Sequence, residues 1–277
     1  MIVAKLYGGL GNQMFQYAAG IALAKKLKTR LYLNLQWFEE VAANPGLTLR
    51  IYELDGFGIE PTSMNPYDKI ASRLKPPEVF KESSLDFNPA FKDLSGNIIL
   101  DGYWQSYKYF ESYRDIVLGA FKFPDRISKQ NRELLDDISR SESVSVHVRR
   151  GDYNTKVGRN YHGLIPMGYY KQALSKIGPA IKNPSLFIFS DDIEWCKKNI
   201  KFGLPITFID SNGPNSGVED MRLMSACKHN IIANSSFSWW AAWLNQNPQK
   251  KVFAPKRWFV SIEANLDDRA PKDWRII

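Results

Sequence analysis

Short apolar runs alternate along this chain with longer segments in which apolar positions recur every three or four residues. Residues 2–7 are mainly apolar and end at Gly8-Gly9, the pattern of a buried strand entering a tight turn. Phe15, Ala18, Ala19, Ala22 and Leu23 then fall at i, i+3, i+4, i+7 and i+8, one face of a helix. Leu31 to Leu35 reads as a second strand, so the chain opens strand–helix–strand. Residues 44–97 are rich in Pro, Gly, Asn and Ser and only weakly periodic. That stretch reads as irregular, with short helices at most, and suited to shaping a cleft. Ile98 to Trp104 reads as another strand.

From about residue 143 the alternation becomes regular. Val144, Val146 and Val148 alternate with Ser143, Ser145 and His147, and the run ends in Arg149-Arg150-Gly151-Asp152. Leu186–Phe189 ends in Ser190-Asp191-Asp192, Ile206–Ile209 in Asp210-Ser211-Asn212, and Ile231–Ala233 in Asn234-Ser235-Ser236. Helical segments fit between these runs, one of them near residues 218–228. Strands alternating with helices imply parallel βαβ units. In such sheets ligands bind outside the carboxyl ends of the strands, at a topological switch point. The expected architecture is α/β: two Rossmann-like halves facing across a cleft, residues 1–139 as the acceptor-side domain and 140–277 as the nucleotide-sugar-binding domain.

Composition narrows the partners. With 277 residues, 44% of them hydrophobic, the chain can build one large core or two modest ones. Its formal charge of +8 favours an anionic partner: a phosphate-bearing small molecule, an acidic membrane surface or nucleic acid. Lys and Arg are spread along the chain rather than gathered with aromatics into a stacking platform, which argues against nucleic acid. No apolar run approaches the roughly 18 residues of a membrane span, and Lys5 interrupts the opening run, so no signal peptide is read. Cys196 and Cys227 match no metal spacing and no disulfide framework; they read as thiols packed on helices in a reducing compartment. A cytoplasmic location is expected, with peripheral contact at the inner face of a membrane compatible with it.

The segment His147-Val148-Arg149-Arg150-Gly151-Asp152-Tyr153 carries the strongest chemical signal. Two adjacent guanidiniums at a strand end offer fixed, forked donors that suit phosphate oxygens and stay charged. The alternative is a salt-bridge group with Asp152. His147 either hydrogen-bonds a base or satisfies the core. Gly8-Gly9-Leu10-Gly11-Asn12-Gln13 is neither the dinucleotide fingerprint, because Met14 stands where a third Gly belongs, nor a P-loop. Gly9 and Gly11 still let a ligand approach backbone N–H groups at a helix start. Asn12 caps that helix or presents its amide to the ligand. In Ser190-Asp191-Asp192 one carboxylate is expected to cap a helix and the other to bind; with no third ligand in metal spacing, a bound cation is not expected. Ser235 and Ser236 at a helix start suit a diphosphate, and Phe237 suits stacking on a base or sugar.

Taken together, the GGLGNQMFQYA opening, HVRRGDY, FSDD and the run EDMRLMSACKHNIIANSSFSWWAAWLN from Glu219 resemble the α-1,2-fucosyltransferases of glycosyltransferase family 11. The HxRR element is also similar to that of α-1,6-fucosyltransferases and protein O-fucosyltransferases. The resemblance implies a GT-B-like fold, GDP-β-L-fucose as donor, a galactose-terminated oligosaccharide as acceptor, inversion at the anomeric carbon and no metal or other cofactor. It implies that Arg149 and Arg150 hold the diphosphate and that His147 and one of Asp191 and Asp192 face the guanosine. Ser235, Ser236 and Phe237 line the phosphate and base, and Asn12 reaches across from the other domain. Asp152, Glu219 and the leaving diphosphate are all candidate bases. The rivals are a catalytically silent nucleotide- or sugar-binding protein on the same fold, which binds GDP without turnover, and a fucosyltransferase of different linkage.

Overall fold

The computed structural model describes every residue except 45–48, 214–215 and 264. It comprises two compact units, Met1–Pro124 and Asp125–Ile277. The division falls before the helix Lys129–Arg140, not after it as a 139/140 boundary has it, because that helix packs against elements of the second unit.

In unit 1, strands β1 (Ile2–Lys5), β2 (Leu31–Asn34), β3 (Glu78–Lys81) and β4 (Ile98–Asp101) form a parallel sheet in the order β2-β1-β4-β3. Its helices are α1 (Leu10–Lys26), α2 (Gln36–Ala42), α3 (Pro66–Leu74) and α4 (Arg114–Ala120). The α1 face expected from periodicity is the buried one: Phe15, Ala18, Ala19, Ala22 and Leu23 are each at most 2% exposed. Gly20 lets the helix lie close to the sheet, since a Cβ there would stand 2.8 Å from Leu31 Cδ1. Strand β3 and helix α2 fall where no regular element was expected. At the sheet edge β3 buries none of its four residues fully, so it leaves no hydrophobic alternation to read. Strand β4 ends at Asp101, three residues before Trp104, because Trp104 turns the chain with φ 54°.

In unit 2, β5 (Glu142–Val148), β6 (Pro184–Ser190), β7 (Ile206–Phe208), β8 (His229–Ile231), β9 (Val252–Ala254) and β10 (Arg275–Ile276) form a parallel sheet. Its order, β7-β6-β5-β8-β9-β10, is the doubly wound 3-2-1-4-5-6 arrangement. The helices are α5 (Lys129–Arg140), α6 (Lys156–Tyr161), α7 (Met167–Ile177), α8 (Ile193–Asn199), α9 (Gly217–Ala226), α10 (Ser236–Leu244) and α11 (Leu266–Arg269).

The alternation along β5 does not mark a solvent face. Val144, Val146 and Val148 pack with Tyr170, Ala173 and Cys196, while Ser143 and Ser145 are also fully buried. A parallel sheet is covered on both faces, so polar residues there must find partners inside. Ser145 Oγ accepts from Asn230 Nδ2 at 2.8 Å, and Asn230 Oδ1 accepts from Asn245 Nδ2 at 2.8 Å. Ser143 Oγ accepts from Lys228 N at 3.0 Å.

Candidate active site

In unit 2 the chain runs from β5 outward to β6 and β7, then returns to place β8 on the other side of β5. The switch point therefore lies between β5 and β8. Arg149 and Arg150 leave the carboxyl end of β5, and Asn234 to Phe237 leave that of β8. The aspartates after β6 complete the edge. Arg149 Nη2 donates to Asp152 Oδ1 at 2.7 Å and its Nη1 pairs with Asp191 Oδ2 at 3.0 Å. Asp191 Oδ1 also accepts from the Arg150 backbone N–H at 2.8 Å. Arg150 Nε donates to Asp192 Oδ2 at 3.1 Å, and its guanidinium lies 3.7 Å from the centroid of the Trp195 ring. Asp192 Oδ1 accepts from Trp195 N at 3.3 Å, capping α8, so Asp192 is the carboxylate that caps and Asp191 the one that grips both arginines. Gly151 is required between them, because any Cβ would overlap the Asp191 carboxylate.

His147, next to the last residue of β5, is 3% exposed, with its ring centroid 5.6 Å from that of Phe237. Burial, and then the neighbouring Arg149 charge, push its pKa down to about 3, so the imidazole is neutral at physiological pH. Its Nδ1 and the Arg149 Nε are buried without a hydrogen-bond partner in the protein. Ser235 is the N-cap residue of α10, yet its side chain makes no capping bond, and Ser236 opens the helix. Tyr153 joins the two sides of the switch point: its ring lies 5.3 Å from the Arg149 guanidinium and its hydroxyl donates to the Asn234 carbonyl at 3.2 Å. Asn234 Nδ2 in turn donates to the carbonyls of His162 (2.9 Å) and Trp258 (3.2 Å).

His147, Arg149, Arg150, Asp152, Asp191, Asp192 and Phe237 are thus brought together around one strand end, with Ser235 and Ser236 across the switch point. Glu219 is held by Arg222 Nη2 at 3.0 Å and by Asn131 Nδ2 at 3.2 Å. Among the described residues no group of three carboxylate, imidazole or thiol side chains stands as a metal site needs. Trp195 and Tyr153 were not singled out from the sequence, although each lies within or one turn beyond a motif; what no motif shows is that their rings lie against the two arginines.

Gly9, Gly11 and Asn12 belong to unit 1. Here the expectation of an Asn12 cap is corrected: Gly9 is the N-cap of α1, and Asn12, inside the first turn, accepts from Gln105 Nε2 at 2.8 Å. The first amide of the helix is occupied as well. Leu10 N donates to Glu53 Oε2 at 2.8 Å, and Gln13 bonds the carbonyls of Gly8 and Ile51 while accepting from Glu53 N. Burial raises the Glu53 carboxyl pKa, with the Leu10 N–H opposing. Glu53 carried no local signal, because it reaches α1 from 43 residues away.

Residues 1–277 match the family described as Glycosyl transferase family 11. The chain is 36% identical to the alpha-1,2-colitosyltransferase of Escherichia coli, covering 99% of this chain and 98% of that one. It is 26% identical to the human galactoside alpha-(1,2)-fucosyltransferase 1 over 86% of this chain and 63% of the human one. Among solved structures, the NodZ alpha-1,6-fucosyltransferase soaked with GDP-fucose shares the fold with a TM-score of 0.50 at 14% identity, over 88% of this chain and 91% of that one. The two α/β units with parallel sheets are those of a GT-B-like enzyme, and the chain belongs to glycosyltransferase family 11.

Proposed function

We propose that this glycosyltransferase moves L-fucose from GDP-β-L-fucose to a hydroxyl of a galactose-terminated glycan, in α-1,2 linkage, with inversion and without a metal ion. The observation that carries the reading is the pair of guanidiniums at the carboxyl end of β5, beside the switch point of a doubly wound sheet. As the anomeric C–O bond breaks, negative charge grows on the diphosphate. Donors already fixed in place stabilise that charge more in the transition state than in the ground state. Asp152 and Asp191 hold Arg149, while Asp192 and Trp195 hold Arg150 through its Nε and ring contact, leaving the Arg150 terminal nitrogens to meet phosphate oxygens. The start of α10, with Ser235 and Ser236, adds hydroxyls and backbone N–H groups. His147, neutral and with Nδ1 unpartnered, supports reading of the guanine base beside Phe237. Both relatives named above carry the α-1,2 linkage in their names, while the sugar they transfer differs. That difference favours one second reading, colitose as the transferred sugar.

The test is a screen of sugar nucleotides with and without lactose and N-acetyllactosamine, in excess EDTA, following release of the nucleoside diphosphate. Acceptor-dependent GDP release from GDP-fucose, and tighter calorimetric binding of GDP than UDP, is the expected result. GDP binding with no turnover on any donor would make the protein a silent binder. Turnover seen only after Mg²⁺ or Mn²⁺ is restored would overturn the metal-free mechanism.

A further inference from the structure

Unit 1 has a switch point of its own. The order β2-β1-β4-β3 puts it between β1 and β4, and three adjacent strands each send one aromatic side chain from their carboxyl ends. Tyr7 follows β1, Trp37 follows β2 and Tyr103 follows β4. The Tyr7 ring meets Tyr103 edge-on at 4.9 Å and Trp37 at 6.1 Å between centroids. Tyr103 is 39% exposed, so part of its ring surface is open to a ligand.

The backbone that presents Tyr103 is strained. Trp104 has φ 54°, a region that bulky residues rarely enter, and its side chain is fully buried, stacked on Phe80 at 5.7 Å. The Glu82 carboxylate grips the turn by accepting from Tyr103 N at 2.7 Å and Trp104 N at 3.0 Å. Strain of this kind persists where the surroundings over-determine it, and it gathers at ligand sites. Polar groups border the rings: Lys5 Nζ and Asp101 Oδ2 pair at 2.8 Å, and Asp101 ends β4. A cavity of about 490 Å³ elsewhere in the unit reaches Thr29 and Arg30 at the amino end of β2, the wrong end of the sheet for this purpose.

We infer that Tyr7, Trp37 and Tyr103 form a pyranose subsite for the acceptor. The apolar C–H face of a galactose ring lies on Tyr103, the Tyr7 ring stands at right angles to it as a side wall backed by Trp37, and the sugar hydroxyls reach Asp101 and Lys5. This rests on the transferase reading above, so its test reads sugar binding rather than turnover. Saturation-transfer NMR is run on the whole protein with lactose in the presence of saturating GDP, for the parent and for Tyr103→Leu, Tyr103→Phe and Trp37→Leu. Tyr103→Leu and Trp37→Leu should weaken lactose binding about three- to tenfold, while Tyr103→Phe keeps the ring and stays near the parent. Tyr67→Ala, at an exposed ring outside the cluster, is the control and should leave binding unchanged. Lactose binding equal in the parent and both leucine variants, or no transfer to galactose protons in the parent, would overturn the subsite. Sugar binding lost as expected without turnover of any donor would refute the transferase reading and leave the subsite standing.

Discussion

Arg149 and Arg150 are neighbours in the chain but occupy different surroundings. Arg149 bridges Asp152 and Asp191 beside the Tyr153 ring, whereas Arg150 packs against the Trp195 ring and meets Asp192 with its Nε. Lysine keeps the charge at either position but loses the planar fork. Losing one charge-assisted hydrogen bond at the diphosphate removes about 1.5–3 kcal/mol, roughly 10- to 150-fold in kcat/KM. Arg149→Lys and Arg150→Lys should each show that loss with GDP-fucose. The thermal midpoint should fall further for Arg149→Lys, because one ammonium cannot span two carboxylates that a guanidinium bridges. Lowered midpoints with near-normal kinetics in both variants would mean a structural pair and would remove the main support for the mechanism. The HVRRGDY segment announced the arginines. Their assignment to separate carboxylates was not legible, since Asp191 and Asp192 lie about 40 residues on in β6's turn.

At the level of the element, α1 shows how a helix end can be completed from outside its own sequence. A polar residue near a helix start is read as a cap because capping is local. In α1 the cap position is Gly9, which has no side chain to offer, and Glu53 supplies the acceptor for the Leu10 N–H. Glu53→Ala should leave that buried amide unsatisfied and lower unfolding free energy by about 1–3 kcal/mol in urea titrations. Glu53→Gln retains an acceptor oxygen and should keep most of the stability. Equal losses in both variants, or none in Glu53→Ala, would show that the carboxylate does not hold the helix. Strand β3 illustrates the opposite limit: a partly exposed edge strand writes no periodicity, whereas α1 and β5, buried along their length, were readable to within a few residues.

For the molecule as a whole, acid should destabilise the fold before most carboxylates titrate. Its three histidines, His147, His162 and His229, all have lowered pKa values, each first through burial. The His229 Nδ1 accepts from Lys251 N at 3.1 Å, a bond that protonation removes. A histidine depressed below its unfolded value of 6.5 binds more protons when unfolded, so its contribution is complete above pH 6.5. It is lost as pH falls from there toward the folded pKa, about 3 for His147, at up to about 1.4 kcal/mol per pH unit for that fully buried group and less for His162 and His229. Asp220 works against this: burial raises its pKa to about 6, so its contribution is present below 3.8 and lost as pH rises through 6. The Glu53 carboxyl, also raised by burial, opposes in the same sense; with three imidazoles set against these two carboxyls, the urea midpoint should fall from pH 7 to pH 5. A flat or rising midpoint over that interval would contradict the buried, neutral state of these imidazoles. By itself the sequence determined the α/β alternation, the buried faces of α1 and β5, the polar clusters at strand ends and membership of the family, because each is written in contiguous residues or in the burial of one element. Only the tertiary structure decided the strand orders, and with them the two switch points, the carboxylate each arginine takes, the Glu53 cap and the division before α5. Those depend on contacts between segments tens of residues apart, and the periodicity of a segment records that it is covered but not what covers it.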